Sequence, residues 1–548
     1  MPWTQNYAAL GNSIGLTALA GAIPIFYFFW ALAIKKMKGH IAGFTTLLLS
    51  IVDVIIVFKM PAGLAISASL LGVANGLFPI LWIVITALFL YNLVVEAGQF
   101  DVIKSSIASI SADRRLQTLL IAFSFGAFLE GAAVFGIPVA ITSALLIGLG
   151  FEPLYAAGLS LVANTAPVAF GGIGIPVVTM AGVTGVDANL IAKAVVHQLP
   201  LIAFIVPFYL VILLSGWKGA KEVLPAILIN ALSFAFLQWG TASYLGANLP
   251  DIVASLGSLL VTALFLKVWK PKNIWRFPHE RDSKIIEHTK YSGAQIFKAW
   301  SPFVILTVMV GIWGTSAFKT WADKMHLYII VKSWPGLNGL VYKAAPIAAK
   351  PSLYAANFRI DYLAAAGTAI LITCILSMAV LKISPAQGLK VFGATLKQLI
   401  FPIITICSVL GFAFLSNYSG LSFTLALLFA KTGHAFPFFA PILGWFGVFL
   451  TGSDTSANAL FGKLQQVTAA QINVNPLTTI AANCTGGGVG KMISPQSIAV
   501  GAATTNLVGR EGEIFRFSLK HSAFFVVIIG VLVYVQAYML PWMIPALH

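Results

Sequence analysis

Long apolar segments recur along the whole chain, and short polar segments separate them. Runs such as 202–214 and 524–535 show no alternation of apolar and polar positions, which predicts helices rather than the strands of a barrel. A helix needs about 20 apolar residues to cross the hydrocarbon core of a bilayer. Segments of this kind lie near residues 14–34, 41–58, 77–95, 190–214, 221–238, 251–267, 298–318, 362–381 and 522–545.

Two further apolar regions, 116–183 and 398–507, are interrupted by glycine, proline and asparagine. Each is long enough for several crossings, and breaks in membrane helices are tolerated where the chain lines a cavity. The sequence predicts an all-α polytopic membrane protein with about 12 to 14 transmembrane helices, in two repeated halves with interrupted helices or re-entrant segments. Within the single membrane domain 1–548, we assign 1–267 to the first half, 268–296 to a polar linker and 297–548 to the second half.

The composition agrees with a chain that lies mainly in the bilayer. Hydrophobic residues make up 59% of the sequence and charged residues 9%, whereas soluble proteins carry about 25% charged residues. The formal net charge of +16 could suggest a nucleic-acid partner, but the chain has no soluble basic domain with interleaved aromatic residues. Basic cytoplasmic loops explain the charge instead. We therefore expect a lipid bilayer around the protein and no nucleic-acid partner.

Most basic residues cluster in short loops, and such loops face the cytoplasm. One cluster follows the first predicted span, at Lys35, Lys36 and Lys38, and another fills the polar segment 268–296. This pattern predicts that the N-terminus lies outside and that the 268–296 loop lies inside. The segment 319–361 conflicts with the rule because it is predicted to lie outside, although it carries Lys319, Lys324, Lys332, Lys343, Lys350 and Arg359.

The two interrupted regions resemble each other. The string Gly126-Ala-Phe-Leu-Glu130-Gly131 is similar to Gly447-Val-Phe-Leu-Thr451-Gly452. Further matching positions, in chain order, are Asn164, Gly171 and Pro176 in the first region and Asn483, Gly490 and Pro495 in the second. A broken helix presents free backbone N–H groups and a positive dipole end, which suit an anion, so paired breaks indicate a binding site. The glycines alone could serve only close helix packing, but the polar residues between them favour a site.

Glu130 and Asp454 lie within these regions, and an ionised side chain at the centre of a membrane helix costs about 2.5–3.5 kcal/mol. Glu130 has no basic neighbour in sequence, and Asp454 belongs to the polar string Thr451-Gly-Ser-Asp454-Thr-Ser456-Ala-Asn458. Burial favours the neutral form of a carboxyl group, so either residue could bind and release a proton. Either could instead belong to a hydrogen-bond network that breaks the helix. The sequence does not decide between Glu130 and Asp454 as the proton-coupling residue.

Lys491 lies in a glycine-rich segment of the second region, where it could attract an anionic substrate, pair with Asp454 or reach the membrane interface. Amides and hydroxyls in both regions offer hydrogen bonds to a carboxylate and a hydroxyl group. Asp53 and His197 also lie within apolar segments, but hydrogen bonds between helices explain them better than ligand binding. The candidate substrate-binding residues are Asn164, Thr165, Pro167, Gly171, Thr451, Ser453, Thr455, Ser456, Asn458, Asn483, Thr485, Lys491 and Ser494.

At these residues the sequence resembles the lactate permease family, from about Asn6 to the last span. Two departures stand out: Val134 replaces an expected glycine, and His197 stands where a relative can carry arginine, which argues against His197 as an anion ligand. The strings that carry the resemblance are Gly76-Leu-Phe-Pro-Ile-Leu-Trp82, Gly98-Gln-Phe-Asp101, Phe128-Leu-Glu-Gly-Ala-Ala133, Asn164-Thr-Ala-Pro-Val-Ala-Phe-Gly171, Asn417-Tyr-Ser-Gly-Leu421, Lys431-Thr-Gly-His-Ala-Phe436, Phe449-Leu-Thr-Gly-Ser-Asp-Thr-Ser456 and Lys491-Met-Ile-Ser-Pro-Gln-Ser497.

The resemblance implies symport of protons with L-lactate and related 2-hydroxymonocarboxylates, such as D-lactate and glycolate. It places the protein in a prokaryotic cytoplasmic (inner) membrane and implies no cofactor, no metal and no catalytic residue. It leaves the oligomeric state open, with a homodimer among the alternatives.

Three other functions are alternatives to the symport of protons with lactate. A dicarboxylate transporter would need more than one fixed positive charge in the core, where Lys491 is the clear candidate. An intramembrane enzyme would need a nucleophile with a base or paired catalytic acids, and Ser453 beside Asp454 is not such an arrangement. A channel would conduct without saturation.

Overall fold

The computed structural model describes residues 2–35, 37–132, 137–277, 291–326, 328–331, 333–508 and 510–547. The departure at Val134 and much of the 268–296 loop lie outside these ranges. The helices are α1 (Ile14–Gly21), α2 (Ile23–Phe29), α3 (Gly39–Val57), α4 (Ala62–Asn75), α5 (Trp82–Glu96), α6 (Gln99–Ala108), α7 (Arg114–Gln117), α8 (Gly126–Ala132), α9 (Ile137–Gly148), α10 (Pro153–Ala163), α11 (Gly171–Thr184), α12 (Ala188–Val195), α13 (Leu199–Glu222), α14 (Leu224–Tyr244), α15 (Pro250–Val268), α16 (Gly293–Gly314), α17 (Ser316–Lys324), α18 (Ala366–Leu381), α19 (Pro385–Ser419), α20 (Leu421–Ala430), α21 (Phe436–Thr451), α22 (Asp454–Gln471), α23 (Pro476–Lys491), α24 (Pro495–Thr504) and α25 (Glu511–Tyr538).

The helical membrane architecture predicted from the apolar pattern is confirmed. Within the described residues, 10 helices are long and apolar enough to cross a bilayer. An eleventh span results if Pro153–Ala163 and Val168–Thr184, which are bent by 62° relative to each other, count as one broken span. Shorter apolar helices lie at Pro138–Gly148, Ala366–Leu381 and Leu421–Ala430. The total of 12 to 14 crossings and the division into two repeated halves stay predictions.

One predicted span is divided differently in the structure. The segment 190–214 contains the end of α12 at Val195 and the start of α13 at Leu199, with turn residues between them. Pro200 explains the division, because proline lacks a backbone N–H and is tolerated in the first turn of a helix but not in its interior. His197 therefore lies in a turn, where its Nδ1 atom is 2.6 Å from the carbonyl oxygen of Lys193.

The described residues also form five short strands, which were not predicted from the sequence. β1 (Trp3–Thr4) pairs in parallel with β3 (Val341–Lys343), and β3 pairs antiparallel with β4 (Ser352–Leu353). β2 (Ile329–Val331) pairs antiparallel with β5 (Phe358–Ile360). The pairing of β1 with β3 places the N-terminus and the 319–361 segment on one side of the membrane. This agrees with the predicted topology, which puts both outside, but the pairing does not identify that side.

The helices pack in two groups that meet at a cavity. In one group, α19 packs against α3, α4 and α5, and α18 packs against α5 and α16. In the other group, α8 to α15 pack with the helical hairpins of α21 to α25. Glycines allow the closest approaches, as membrane helices use small residues where backbones meet: a Cβ on Gly444 or Gly486 would overlap the backbone of the facing helix at Asn483 or Pro441.

Candidate substrate site

A cavity of about 370 Å³ lies where the two groups of helices meet. One wall comes from ordinary helices and includes His40, Val84, Phe401 and Thr405. The other wall comes from the two interrupted regions, which are named here the first broken region (118–184) and the second broken region (436–504). The residues that these two regions contribute are Glu130, Val168, Gly171, Ile175, Pro176, Thr451, Gly452, Ser453, Asp454, Thr455, Ser456, Lys491, Gln496, Ser497 and Val500.

The first broken region contains a long non-helical break after α10. The helix ends before Asn164, and the chain then passes through a 3₁₀ turn at Val168–Phe170. Gly172, Ile173 and Gly174 follow with φ angles of 54°, 59° and 76°. This conformation is costly for the β-branched Ile173, and Asn248 Nδ2 holds it by donating a 2.8 Å hydrogen bond to the Ile173 carbonyl.

The second broken region contains two short breaks that end with side-chain caps. α21 ends at Thr451, and Ser453 Oγ then accepts a 3.2 Å hydrogen bond from the Ser456 amide to cap α22. α23 ends at Lys491, and Ser494 caps α24 in the same way through the Ser497 amide. Each break therefore starts a new helix close to the cavity, with the positive end of its dipole at that start.

An ion pair between Glu130 and Lys491 joins the two broken regions. Lys491 Nζ lies 2.5 Å from Glu130 Oε1, and the two side chains are 12% and 5% exposed. Asn164 Nδ2 donates a 2.9 Å hydrogen bond to Glu130 Oε2, so both carboxylate oxygens have partners. Of the roles that the sequence left open for Lys491, the structure shows pairing with an acid, but the acid is Glu130 and not Asp454.

Glycine makes room for this carboxylate. A Cβ on Gly171 would lie 2.7 Å from Glu130 Oε1, well inside normal contact distance. The left-handed turn that follows Gly171 thus brings the backbone of the break directly against the Glu130 side chain. The matched glycine of the second region, Gly490, faces the backbone of Trp445 instead.

Asp454 lies at the start of α22 and is bonded less completely than Glu130. Its side chain lines the cavity, the residue is 4% exposed, and Oδ2 accepts a 3.5 Å hydrogen bond from Asn458. Oδ1 has no hydrogen-bond partner within the described part of the chain. A Cβ on Gly487 would overlap this oxygen, so the glycine provides the space that the carboxyl group occupies.

A ladder of buried amides holds the second broken region behind the cavity wall. Gln465 Nε2 donates to Asn483 Oδ1 at 3.1 Å, and Asn483 Nδ2 donates to Asn458 Oδ1 at 2.8 Å. Asn458 Nδ2 in turn donates to the carbonyl of Pro176 at 3.2 Å. Because Pro176 belongs to the first broken region, the ladder fixes the two regions relative to each other.

The structure separates the candidate site residues into two sets. Those that line the cavity are Glu130, Gly171, Thr451, Ser453, Asp454, Thr455, Ser456 and Lys491. Those that lie behind its wall are Asn164, Thr165, Pro167, Asn458, Asn483, Thr485 and Ser494. Several members of the second set hydrogen-bond other residues; Thr485 Oγ1, for example, donates to Gln198 Oε1 at 3.0 Å. The hydroxyl of Thr165 is buried without a partner in the described residues.

Some lining residues carry no signal in the sequence. His40 lies on α3, far from either broken region along the chain. Thr405 falls within the predicted region 398–507 but lies on α19, before the second broken region, and only tertiary packing brings either residue to the cavity. Gln496 and Ser497 follow Pro495, close to the break at 492–494. Their residue types alone did not show whether they line a cavity or cap a helix.

The chain is similar to a known protein family along almost its whole length. The chain matches the L-lactate permease family over residues 17–540. The chain belongs to this family. The membership expected from the sequence strings is therefore confirmed, and the family's proteins are membrane permeases rather than enzymes.

Relatives cover essentially the full chain. The glycolate permease GlcA of Escherichia coli strain K12 is 52% identical over 556 residues, covering 99% of each chain. The L-lactate permease of the same strain is 49% identical over 549 residues, covering 99% of this chain and 100% of its own. The L-lactate permease of Bacillus subtilis strain 168 is 47% identical over 570 residues, covering 100% of both.

Solved structures are more distant. The structure of the Neisseria gonorrhoeae antimetabolite efflux pump MtrF aligns over 84% of this chain and 82% of its own, with a TM-score of 0.47 and 14% identity. A likeness at this level carries no argument about the permease.

Proposed function

We propose that this permease is a symporter of protons with L-lactate and related 2-hydroxymonocarboxylates, D-lactate and glycolate among them. The observation that carries the proposal is the Glu130–Lys491 ion pair, which places a carboxylate on the one lysine of the cavity wall within the described residues. A substrate carboxylate has the same chemistry as the Glu130 side chain. Lys491 can therefore bind either group, but not both in the same position.

The cavity wall matches a small hydroxy acid. Val84, Val168 and Ile175 supply an apolar face for a short carbon chain, and the hydroxyl groups of Thr455 and Ser456 offer hydrogen bonds to a substrate hydroxyl. A dicarboxylate would require a second cation to replace the water around its second charge. His40 is the other basic residue of the described wall, and it stacks on Phe401 at 4.3 Å between ring centroids.

Competition for Lys491 couples the substrate to a proton. When lactate takes Lys491, Glu130 loses its cationic partner while it remains buried, and an unpaired buried carboxylate is strongly unfavourable. Glu130 then takes up a proton, so that lactate and a proton bind together. The bound pair has no net charge, whereas one additional cation would add about 2.3 kcal/mol of driving force per 100 mV of membrane potential.

Asp454 is a second candidate for the proton, because its Oδ1 atom lacks a partner within the described residues. Glu130 is favoured, since it contacts the lysine that the substrate must reach. Asp454 would then stay neutral and donate its proton as a hydrogen bond in the cavity.

We also propose the orientation predicted from the basic loops, with the N-terminus outside and the 268–296 loop inside. The pairing of β1 with β3 supports it, because this orientation requires the N-terminus and the 319–361 segment to lie on the same side. Longer loops follow the positive-inside rule less strictly than short ones.

Uptake of labelled L-lactate into proteoliposomes tests the proposed function. We expect saturable uptake that an inward proton gradient drives to accumulation and that a protonophore reduces to equilibration. D-lactate and glycolate should compete for uptake, whereas a dicarboxylate should not. Linear, non-saturating flux would indicate a channel, and the absence of uptake above empty liposomes by folded protein would remove lactate from the proposal.

A further inference from the structure

A third buried acid, Asp251, lies beside the segment that carries Glu130. Asp251 is the second residue of α15 and is 1% exposed. A Cβ on Gly131 would lie 2.9 Å from Asp251 Cβ and 3.2 Å from the Ile252 nitrogen, so the residue next to Glu130 packs directly on the start of α15. Asp251 does not line the cavity and therefore lies out of reach of a substrate held at Lys491.

Hydrogen bonds connect Asp251 to the long break as well. Gln238 Nε2 donates to Asp251 Oδ1 at 3.0 Å and reaches the carbonyl oxygen of Ala166 at 3.4 Å. Asn248, three residues before Asp251, donates to the carbonyl of Ile173 in the left-handed turn. The segment 247–251 therefore supports the break and presents Asp251 to it.

The group of polar atoms around Asp251 contains more acceptors than donors. Asp251 Oδ2 and Gln238 Oε1 are both buried and have no hydrogen-bond partner within the described residues. Buried polar atoms are bonded in the great majority of cases. A proton on the Asp251 carboxyl would add a second donor to this group, whereas an ionised carboxylate leaves Gln238 Nε2 as its donor.

The elements packed against Asp251 carry few charged groups. α8, α11, α14 and the π-helical segment Thr118–Phe125 pack against α15, and Glu130 is the charged residue among their described residues. Tyr244, the last residue of α14, is 80% exposed. Lys491 on α23 acts on the Asp251 carboxyl group through its charge, and Gln238 Nε2 is its hydrogen-bond donor.

We propose that Asp251 is a second proton-binding carboxyl group of the transport cycle, which takes the coupled proton from Glu130 when Glu130 returns to Lys491. This inference rests on the proposed symport. Glu130 cannot keep its proton and re-form the ion pair, so the proton must leave its carboxyl group as lactate dissociates. The proton moves from the Glu130 carboxyl to the Asp251 carboxylate, and Asp251 then releases it to water on the side where lactate leaves, so that Asp251 is ionised again before the next cycle.

The test compares Asp251→Asn with Asp53→Asn in proteoliposomes. Asparagine keeps an acceptor for Gln238 but cannot bind the proton. Asp53 is a matched control, because it is also buried, at 8% exposure, with an unpartnered Oδ2 in the described residues, and it lies on α3 away from both broken regions. Three properties are measured for each variant: lactate exchange at equal pH, accumulation on a proton gradient, and alkalinisation of the medium during lactate entry.

For Asp251→Asn we expect exchange within about threefold of the parent protein and at least about tenfold lower accumulation and alkalinisation. Asp53→Asn should behave as the parent. Accumulation by Asp251→Asn at the parent level, or loss of exchange together with accumulation in folded protein, would overturn the inference. If the asparagine variant does not fold, Asp251→Ser, which also keeps a hydroxyl acceptor, is measured by the same criteria. Failure of the parent protein to accumulate lactate would instead refute the proposed symport.

Discussion

The two broken regions both interrupt helices beside the cavity, but their backbones break in different ways. The first bends through 164–174 and includes three consecutive left-handed residues, whereas the second bends through 452–453 and 492–494 and restarts each helix with a serine cap. The long break places the Gly171 backbone and Asn164 against the Glu130 carboxylate. Asn164 bonds Oε2, and Lys491 of the second region bonds Oε1, so both oxygens have partners. The short breaks leave Asp454 and Lys491 at helix ends, with Asp454 only partly bonded.

This difference suggests a division of roles. The first region holds a carboxylate whose position is fixed by its surroundings, and the second supplies the cation and the hydroxyl groups that a substrate meets. The ion pair between the regions is then the connection that substrate binding breaks.

Removal of the cation should have the largest effect. Lys491→Met leaves Glu130 buried without its partner, a loss that costs about 3–5 kcal/mol for buried pairs, and it removes the substrate's counter-ion. We expect lactate uptake to fall by at least about a hundredfold, measured as the initial rate in proteoliposomes.

Lys463→Met is the matched control, because Lys463 is a similarly half-buried lysine of the second region that does not line the cavity. Its Nζ atom bonds the Thr184 carbonyl at 3.1 Å and Gln466 Oε1 at 2.7 Å. Uptake by this variant should remain within about threefold of the parent. Equal losses in the two variants would show that Lys491 has no special role.

The acids of the two regions should differ in how they affect coupling. Glu130→Gln should retain lactate exchange but lose accumulation on a proton gradient by about tenfold or more, because the amide cannot take up the proton. Asp454→Asn should lower the rate by about threefold and keep gradient-driven accumulation. Exchange and accumulation measured in the same vesicles distinguish the two variants. Loss of accumulation in Asp454→Asn but not in Glu130→Gln would indicate that Asp454 binds the coupled proton.

The glycines that border the acids provide a finer test. Gly171→Ala should reduce uptake by about tenfold, because the added methyl group displaces Glu130 Oε1. Gly487→Ala should displace Asp454 Oδ1 and lower uptake by about threefold, as Asp454→Asn does. Gly182→Ala on α11 is the control, since no atom lies within 4 Å of its Cβ position. Uptake that is unchanged by Gly171→Ala would show that Glu130 does not need its present position.

The serine caps should show the smallest effects. Ser453→Ala and Ser494→Ala each remove one helix cap and should lower stability by about 1 kcal/mol, measured by thermal unfolding in detergent. Ser453 lines the cavity and Ser494 does not, so only Ser453→Ala should also change the apparent KM for lactate. A change in KM for both variants would indicate that the caps act on the site through the backbone alone.

The sequence predicted those site residues that differ in type from their immediate neighbours in the chain. Glu130, Asp454 and Lys491 stand out because a charge within an apolar run is visible without knowledge of the fold. Pro176 and Pro495, which the sequence comparison paired, occupy similar places in the structure, since each lies where a helix resumes after a break. Asn164 and Asn483 were matched by spacing, yet Asn164 caps α10 and Asn483 lies within α23, because the two breaks differ in length.

Contacts between distant segments could not be predicted. Glu130 and Lys491 are 361 positions apart, and the repeat gave no reason to pair them rather than Lys491 with Asp454. Asp251 was hidden at the edge of a predicted span, where an acid is an ordinary helix-start residue. Its connection to the long break depends on Gln238 and Gly131, whose packing only the folded chain shows.

The pH dependence of lactate binding to purified protein tests the central claim, competition between lactate and Glu130 for Lys491, most directly. Protonation of Glu130 frees Lys491, so the parent protein should bind lactate more tightly as the pH falls. In Glu130→Gln the competing carboxylate is absent, and binding should be at least as tight as in the parent and independent of pH over the same range. Binding by Glu130→Gln that keeps the parent's pH dependence, or that is lost in folded protein, would contradict the account.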